Sequence, residues 1–466
     1  MGRPLKELGP GSSGVPGFGA ELRHRRLVRG LSQERLGRLV HFSGALVGKI
    51  EKSERFPSPG FCERADAVLE TGGVLTRMLH SSLDQDRPEP GDRPDDLPTA
   101  SLRWADDATT AVRLSCRMWQ VEVERRSVLA SAAPVTGAFA MPLVSWSRVE
   151  PEALPSGGAR RIGQGEVDAL WAMCGSLADA DHRLGGGYAR STLMHYLDAV
   201  VRPLLLDAVF DERVGRGLLG AAARLCDLCA FMSFDSAEQG LAQRYFVQAL
   251  RLARASGDRA LGGHVLGDMA MQAHHLGEAG QALELAEAGY RAGRAAGSPS
   301  TAARCAALAG RAHALRGDAS AAARSRLLAE RRLDATAAEP EPRWIRFFTP
   351  AQLAVESQYI ASDLGDHREV RRIAGTLGAP AGDMQRRRVL SAATLADAHL
   401  HPADADVERA CAALTDVLPA MPALTSVRAR DRVAGVRRKL ARHAGHPAVR
   451  EFEQRHERLA LVAHPA

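Results

Sequence analysis

Lysine is nearly missing from this chain of 466 residues, standing only at Lys6, Lys49, Lys52 and Lys439. Aromatic residues are scarce as well, at 5%, and with abundant alanine this suits close-packed helices. No segment approaches the roughly 18 consecutive apolar residues of a membrane span, and the N-terminus has no apolar signal core. No membrane partner is expected, and the sequence points to a cytoplasmic, nucleoid-associated protein with reduced thiols. The seven cysteines are odd in number and scattered. Cys226 and Cys229 are the only close pair, but no second Cys/His pair lies at a zinc-like distance. Their apolar helical surroundings make them small hydrophobes.

Catalytic signatures are missing too. There is no Gly-x-Ser-x-Gly elbow, no His-Glu-x-x-His and no nucleotide fingerprint. Gly185-Gly186-Gly187 follows no strand and precedes no Lys-Ser/Thr, so it reads as a flexible helix connector. His274-His275 closes a helix before Leu276-Gly277, where a partly charged imidazole complements the helix C-terminus. Neighbouring helical positions face different ways, so the pair chelates a metal poorly. The expectation is a protein with no catalytic residue, no metal and no cofactor.

What the sequence does hold is size enough for two or three units. Its 45% apolar and 25% charged residues are ordinary for a globular protein. The net charge of +6 permits nucleic-acid binding. Residues 1–80 hold 13 Lys+Arg against 8 Asp+Glu, a balance of +5. Two of the four lysines, Lys49 and Lys52, lie on or directly beside that region's most structured stretch.

That stretch runs from Gly30 to Glu51. Ser32 caps a helix carrying Glu34 in its first turn and Leu36, Leu39 and Val40 on its apolar face. After His41 and Phe42, Ser43 caps a second helix with Leu46, Val47 and Ile50 inward. Two short helices joined this tightly make a helix-turn-helix, whose second helix normally lies in the DNA major groove. Leu22 and Leu27 mark a helix before it. Phe61, Ala65 and Leu69 mark one after it, and Leu75 and Leu79 mark a fifth.

The run Leu22, Arg26, Gly30-Leu31-Ser32-Gln33-Glu34, Leu36, Phe42-Ser43, Val47, Ile50-Glu51, Arg55 and Pro57-Ser58 resembles the lambda-repressor/Cro-like regulators of the XRE family over roughly residues 19–80. The resemblance implies that Gln33 meets a phosphate. It implies that Gly44, Ala45 and Lys49 face the bases, that Lys52 and Arg55 contact the backbone, and that Ser43 belongs to the same DNA-binding set. His41 and Ser53 stand at turn positions where the family favours glycine, which adopts positive φ cheaply. The outward stripe at 44, 45, 48, 49 and 52 is poor in hydrogen-bonding side chains. Lys49 can donate to guanine and Ala45 can touch a thymine methyl, so dimerisation, DNA shape or a partner must supply further specificity.

Residues 1–17 read as a disordered arm, with Arg3 and Lys6 within possible reach of DNA. The DNA-binding domain is expected over 18–82, a proline-rich linker over 83–100 and a helical connector over 101–150. The connector would dock on one domain or on a dimer partner. From 160 to 462 an internal repeat emerges. Leu225–Met232, Val265–Gln272 and Cys305–Ala312 align at an offset of 40, with second helices in register. Gly277 and Gly317 fall one period apart, and Ser233-Phe234-Asp235 holds the turn position in the first copy. Degenerate hairpins are expected at 166–210, 345–378, 384–418 and 425–462.

These hairpins resemble tetratricopeptide-type repeats, and Phe231–Asp258 resembles a group of regulators common in filamentous high-GC bacteria. The expected fold is therefore all-α, a five-helix Cro/repressor-like domain followed by a tetratricopeptide-like superhelix with a concave binding surface. Polar residues on otherwise apolar first helices are the groove candidates: Arg224, His264, Asp268, Arg304, Arg311 and Gln352. The resemblance implies a transcriptional regulator that binds double-stranded DNA as a homodimer, its array dimerising or sensing a peptide, small molecule or protein. The alternative is a protein-interaction adaptor or antitoxin-like protein whose helix-turn-helix does not read sequence.

Overall fold

Serine caps delimit the first helices. The computed structural model describes residues 18–52, 55, 57–76, 78, 97–105, 107–124, 132–146, 160–335, 340–377 and 384–463. It is all-α, with 78% helix. The expected arm with Arg3 and Lys6, linker residues 83–96, Ser53 and Leu79 lie outside the described residues. Two compact units, Met1–Asp92 and Arg93–Ala466, divide the chain.

In the first unit α1 (Phe18–Val28), α2 (Gln33–Leu39), α3 (Gly44–Glu51) and α4 (Pro59–Leu69) surround one core. Ser32, Ser43 and Ser58 each accept a hydrogen bond from the backbone N–H three residues on, satisfying an otherwise orphaned donor. Phe18, Leu22, Leu36, Val47, Ile50 and Phe61 fill the core. Leu27 and Leu39, expected inside, are 54% and 42% exposed. The inward line of α1 runs from Leu22 to Arg26, leaving Leu27 five positions from Leu22 and about 140° around the helix. The short α2 buries only Leu36 and Gly37 within its length. Residues 74–76 are helical and Leu75 is buried.

The second unit is a run of antiparallel helix pairs, entered through α5 (Leu97–Ala100), α6 (Ala108–Glu124) and α7 (Ala140–Trp146). The pairs begin with α8 (Gln164–Leu184) and α9 (Gly186–Tyr196), and a π-helical turn leads to α10 (Arg202–Leu206). A two-residue parallel pairing joins β1 (Arg160–Arg161) to β2 (Ala208–Val209). Then come α11 (Glu212–Asp235) with α12 (Gln239–Ser256), α13 (Arg259–His275) with α14 (Ala279–Ala295), and α15 (Pro299–Leu315) with α16 (Ala319–Leu333). After a break, α17 (Pro350–Asp363) pairs with α18 (His367–Thr376), α19 (Gln385–His399) with α20 (Val407–Thr415), and α21 (Val427–Leu440) with α22 (Pro447–Ala463).

Local chemistry explains the period. Gly277 and Gly317 have φ of +81° and +76°, a conformation that only glycine adopts without strain. In the first copy α11 runs on through Ser233, Phe234 and Asp235, so the turn falls later than expected, with Ala237 at φ +66°. Asp211, Asp258, Ser298, Asp318 and Asp366 cap successive helices through their side chains. Between members of a pair the backbones nearly touch. A Cβ on Gly289 would lie 2.8 Å from the Gly263 carbonyl oxygen and 2.7 Å from the Cys305 sulfur.

Helix α11 is long and apolar enough to cross a membrane, with mean hydropathy 1.4 over its best window, but 89% of that window is buried within the protein. The expectation that no segment approaches this limit is corrected: α11 is a buried core helix of the array. The connector docks on the second unit. Ser115 donates to Gln248 at 2.9 Å, Gln248 donates to the Ser101 carbonyl at 2.8 Å, and buried Glu122 meets both Arg190 and Tyr245.

The array also closes. The inner helices α8, α11, α13, α15, α17 and α19 pack in sequence, and α19 returns to pack against α8. At the seam Arg386 makes a bidentate pair with Asp181, at 2.9 and 2.8 Å, and reaches Asp235 at 3.3 Å. Asp235 also accepts from Arg428 Nε at 3.1 Å, Ser426 Oγ at 2.8 Å and the Gly186 N–H at 3.0 Å. Thr425 donates its N–H to the Leu184 carbonyl at 2.7 Å. The expected flexible connector Gly185-Gly186-Gly187 is instead a place of close approach. A Cβ at Gly185 would lie 2.7 Å from Ser426 N, and one at Gly186 would lie 2.5 Å from the Met232 carbonyl oxygen.

Burial alone would raise the Asp235 pKa, but Arg386, Arg428 and the hydrogen bonds prevail and hold it near about 2. An unfolded aspartate titrates near about 3.9, so this contribution is complete above that pH and is lost as pH falls toward the folded value. Asp235→Ala should cost about 3–5 kcal/mol, because it strands the buried Arg428 guanidinium and takes one of two carboxylates from Arg386. Denaturant melts of the full chain should show that loss at neutral pH, together with a flatter acid limb between pH 4 and 2. A neutral-pH change under about 0.5 kcal/mol would contradict the seam's role.

Candidate nucleic-acid interface and buried polar centre

Glutamate 51 organises the N-terminal unit. It pairs with Arg26 through Nε at 2.5 Å and Nη2 at 3.0 Å, and it accepts from Gln33 Nε2 at 2.8 Å. Arg26 also donates to the Leu31 carbonyl at 2.7 Å. Helix α1, the end of α3 and the start of α2 are thereby tied through one carboxylate. His41, at φ +58°, makes the turn between α2 and α3 at the position where glycine was expected to be easier.

Ala45 and Lys49 on α3 and its caps Ser43 and Lys52 are exposed, as is Arg55 beyond it. No carboxylate of the described residues pairs with Lys49, Lys52 or Arg55 within 4.0 Å. Gln33 is half-buried at the start of α2. The two glycines of the outward stripe have packing roles. A Cβ at Gly44 would sit 2.7 Å from the Glu34 Cα, and one at Gly48 would sit 3.1 Å from the Gln33 side-chain oxygen. Gly48 is buried, which removes it from the outward stripe. The outer face of α3 therefore presents a methyl group and two ammonium groups, the kind of surface that can meet base edges and phosphates.

The six groove candidates separate into two neighbouring groups. Arg224, His264, Asp268 and Arg304 meet around Asp227, all buried. Arg224 pairs with Asp227 and Arg304 with Asp268, while Arg304 Nη1 donates to the His264 carbonyl at 3.0 Å. His264 Nε2 lies 3.5 Å from Asp227 and 3.4 Å from Asp268. Asp227, His264 and Asp268 offer ligand atoms within 4.8 Å of one another. Both carboxylates are nevertheless engaged by guanidiniums, whose charge disfavours a dication. Burial, reinforced by Arg304 and only opposed by Asp268, drives the His264 pKa far below the usual imidazole range.

Arg311 and Gln352 line a cavity of about 670 Å³, and Gln352 also lines a smaller neighbouring pocket with Arg224, His264, Asp268 and Arg304, so it joins the two groups. Arg311 Nε donates to Asp363 at 3.0 Å, and Gln352 Nε2 to Glu356 at 3.0 Å. His274 and His275 both line this cavity. His274 Nε2 lies 2.9 Å from Asp363, and His275 packs on Phe234 with ring centroids 5.2 Å apart. Arg386, Arg387, Arg428 and Tyr359 complete the polar wall and were missed in the sequence. Cys226 and Cys229 are buried, and burial pushes both thiols up, as expected of packing residues.

Comparison with known proteins supports the first unit alone. Residues 18–79 match the model of a family described as "Helix-turn-helix domain". No curated protein and no solved structure matches the chain. The chain thus carries an N-terminal helix-turn-helix domain followed by a region of antiparallel helix pairs.

The buried imidazole generates a pH prediction. His264 is neutral in the folded state, while in the unfolded chain it takes up a proton near about pH 6.5. The unfolded state thus binds more protons below that pH, and stability should fall progressively as pH drops through it. The His264→Asn variant should show a shallower decline between pH 6.5 and 5 in urea melts; a slope equal to the parent's would sink the assignment. The packing of α2 on α3 yields another. Gly44→Ala should destabilise the first unit by about 1–3 kcal/mol through overpacking, measured by hydrogen exchange of α2 and α3 amides.

Proposed function

We propose that the protein is a sequence-specific transcriptional regulator of the lambda-repressor/Cro-like kind, acting by binding and not by catalysis. Residues 18–82 bind double-stranded DNA as one half of a homodimer, joined through 83–100 and the 101–150 connector to a tetratricopeptide-like domain over 160–462. That domain dimerises the protein or senses a peptide, small molecule or protein, and the site of action is the cytoplasmic nucleoid. The observation that carries this reading is the outer face of α3, where exposed Lys49 and Lys52 stand beside Ala45 with no carboxylate of the described residues against them. Lys49 donates to guanine O6/N7, Ala45 meets a thymine methyl, and Gln33, Ser43, Lys52 and Arg55 hold the backbone.

One observation favours an adaptor or antitoxin-like protein instead. Gly44 and Gly48 are committed to packing, which leaves few groups to read bases. Fluorescence anisotropy against tiled DNA from the protein's own upstream region, at two salt concentrations, separates the readings. A regulator binds one tile well above random DNA, with half-sites about 10 bp apart. Lys49→Ala should lose about 1–3 kcal/mol on that tile and less on random DNA. Arg55→Ala should weaken both and reduce the salt slope by about one ion. Equal, weak binding to every tile, unchanged in Lys49→Ala, would move the function to the helical array.

A further inference from the structure

Closure of the array leaves an interior that is polar yet incompletely satisfied. The cavity of about 670 Å³ falls within the range of roughly 300–1,000 Å³ typical of small-molecule sites. One wall is a single face of α17, where Gln352, Glu356 and Tyr359 follow one another at helical spacing. Gln352 and Glu356 are only 6% and 5% exposed. Gln352 Oε1, Glu356 Oε2 and the Tyr359 hydroxyl each have no hydrogen-bond partner. The nearest cation to Glu356 Oε2 is Arg311 Nη1 at 4.0 Å, too long for a hydrogen bond. Buried acceptors left this way cost about 1–3 kcal/mol each unless something donates to them.

The neighbouring inner helix α19 has the complementary shortage. Arg386 and Arg428 are spent on the seam, but no carboxylate of the described residues pairs with Arg387 within 4.0 Å. Its contacts are the Met384 sulfur at 2.7 Å and the Phe347 ring, whose centroid lies 5.4 Å from the centre of the guanidinium. Burial lowers its pKa to about 10 against the attraction of Glu356. Phe231, Met271 and Leu390 supply apolar lining to the same cavity.

We propose that this cavity binds a small organic acid that also carries an N–H or O–H donor on a flat apolar body. The anionic group meets Arg387, the donor meets Glu356 and Gln352, and the apolar body lies against Phe231 and Met271. A planar guanidinium is suited to a carboxylate or sulfonate through paired N–H donors. The proposal gives a ligand class to the sensing role proposed above and rests on that reading of the helical domain.

The probe is 8-anilinonaphthalene-1-sulfonate, which combines a sulfonate, an N–H donor and flat apolar rings. Fluorescence titration of the full chain should give one saturable site. Arg387→Met should weaken it about tenfold or more, and Glu356→Gln about threefold, a smaller loss because the amide still accepts. Arg430→Met, on the exposed side of α21, should leave it unchanged. Arg387→Lys keeps the charge without the fork and should fall between parent and Arg387→Met; it carries the test if the methionine variant does not fold. No saturable site, or binding that Arg387→Lys and Glu356→Gln leave unaltered, overturns the proposal. The titration contains no DNA, so its failure leaves the regulator reading standing. Intact dye binding with no tile-specific anisotropy rejects the DNA reading alone.

Discussion

The Asp235 carboxylate is the constraint on which the second unit depends. It lies at the end of the buried helix α11 and accepts hydrogen bonds from Gly186, Ser426 and Arg428, with Arg386 alongside. A buried carboxylate is costly unless all its partners are present. Those partners come from both ends of the array, so they can be present only when the ends meet. Arg387, next to the seam's Arg386 on α19, lines the same cavity as Glu356. Closure and cavity are two results of one arrangement.

The first unit relies on a smaller version of the same device. Glu51 gathers Arg26 and Gln33, and glycines at 19, 37 and 44 let backbones approach where any Cβ would lie under 3.0 Å from a neighbouring atom. Tight packing fixes the angle at which α3 stands on the domain, but it consumes positions on α3 that other side chains would use for contact. Lys49 and Lys52 remain, in a chain with two other lysines. A strongly hydrated point charge on a flexible stem suits phosphate or guanine, where an arginine fork would impose one geometry.

Much of this architecture was legible in the sequence because its signals are local. Serine caps bracket α2 and α3, and the turn glycines with their following caps recur with the repeat. Four groove candidates came together because helical spacing aligns His264 with Asp268, and one repeat period places Arg304 beside His264. The seam had no such signature. Arg386 and Asp181 are 205 residues apart, and Arg386 and Asp235 are 151 apart. No periodicity links them, so Gly185-Gly186-Gly187 read as a flexible connector when it marks a close approach. Glu356 and Arg387 escaped for a related reason: both sit in degenerate repeats, where the register that singled out Arg304 has faded. Leu27 and Leu39 misled because apolar content was read without the exact angle around a short helix.

Closure also bears on how such a chain can evolve. Open solenoids gain and lose repeats with little penalty, because each unit contacts only its neighbours and stability adds up along the stack. Here the angle turned by each hairpin must sum to a return of α19 onto α8. Duplicating or deleting one hairpin would carry Arg386 past Asp181 and leave both charges unmatched. The copy number is therefore locked, and adaptation is left to act through side chains on the inner wall and through the interruption between α16 and α17, which sets where the second half of the ring begins.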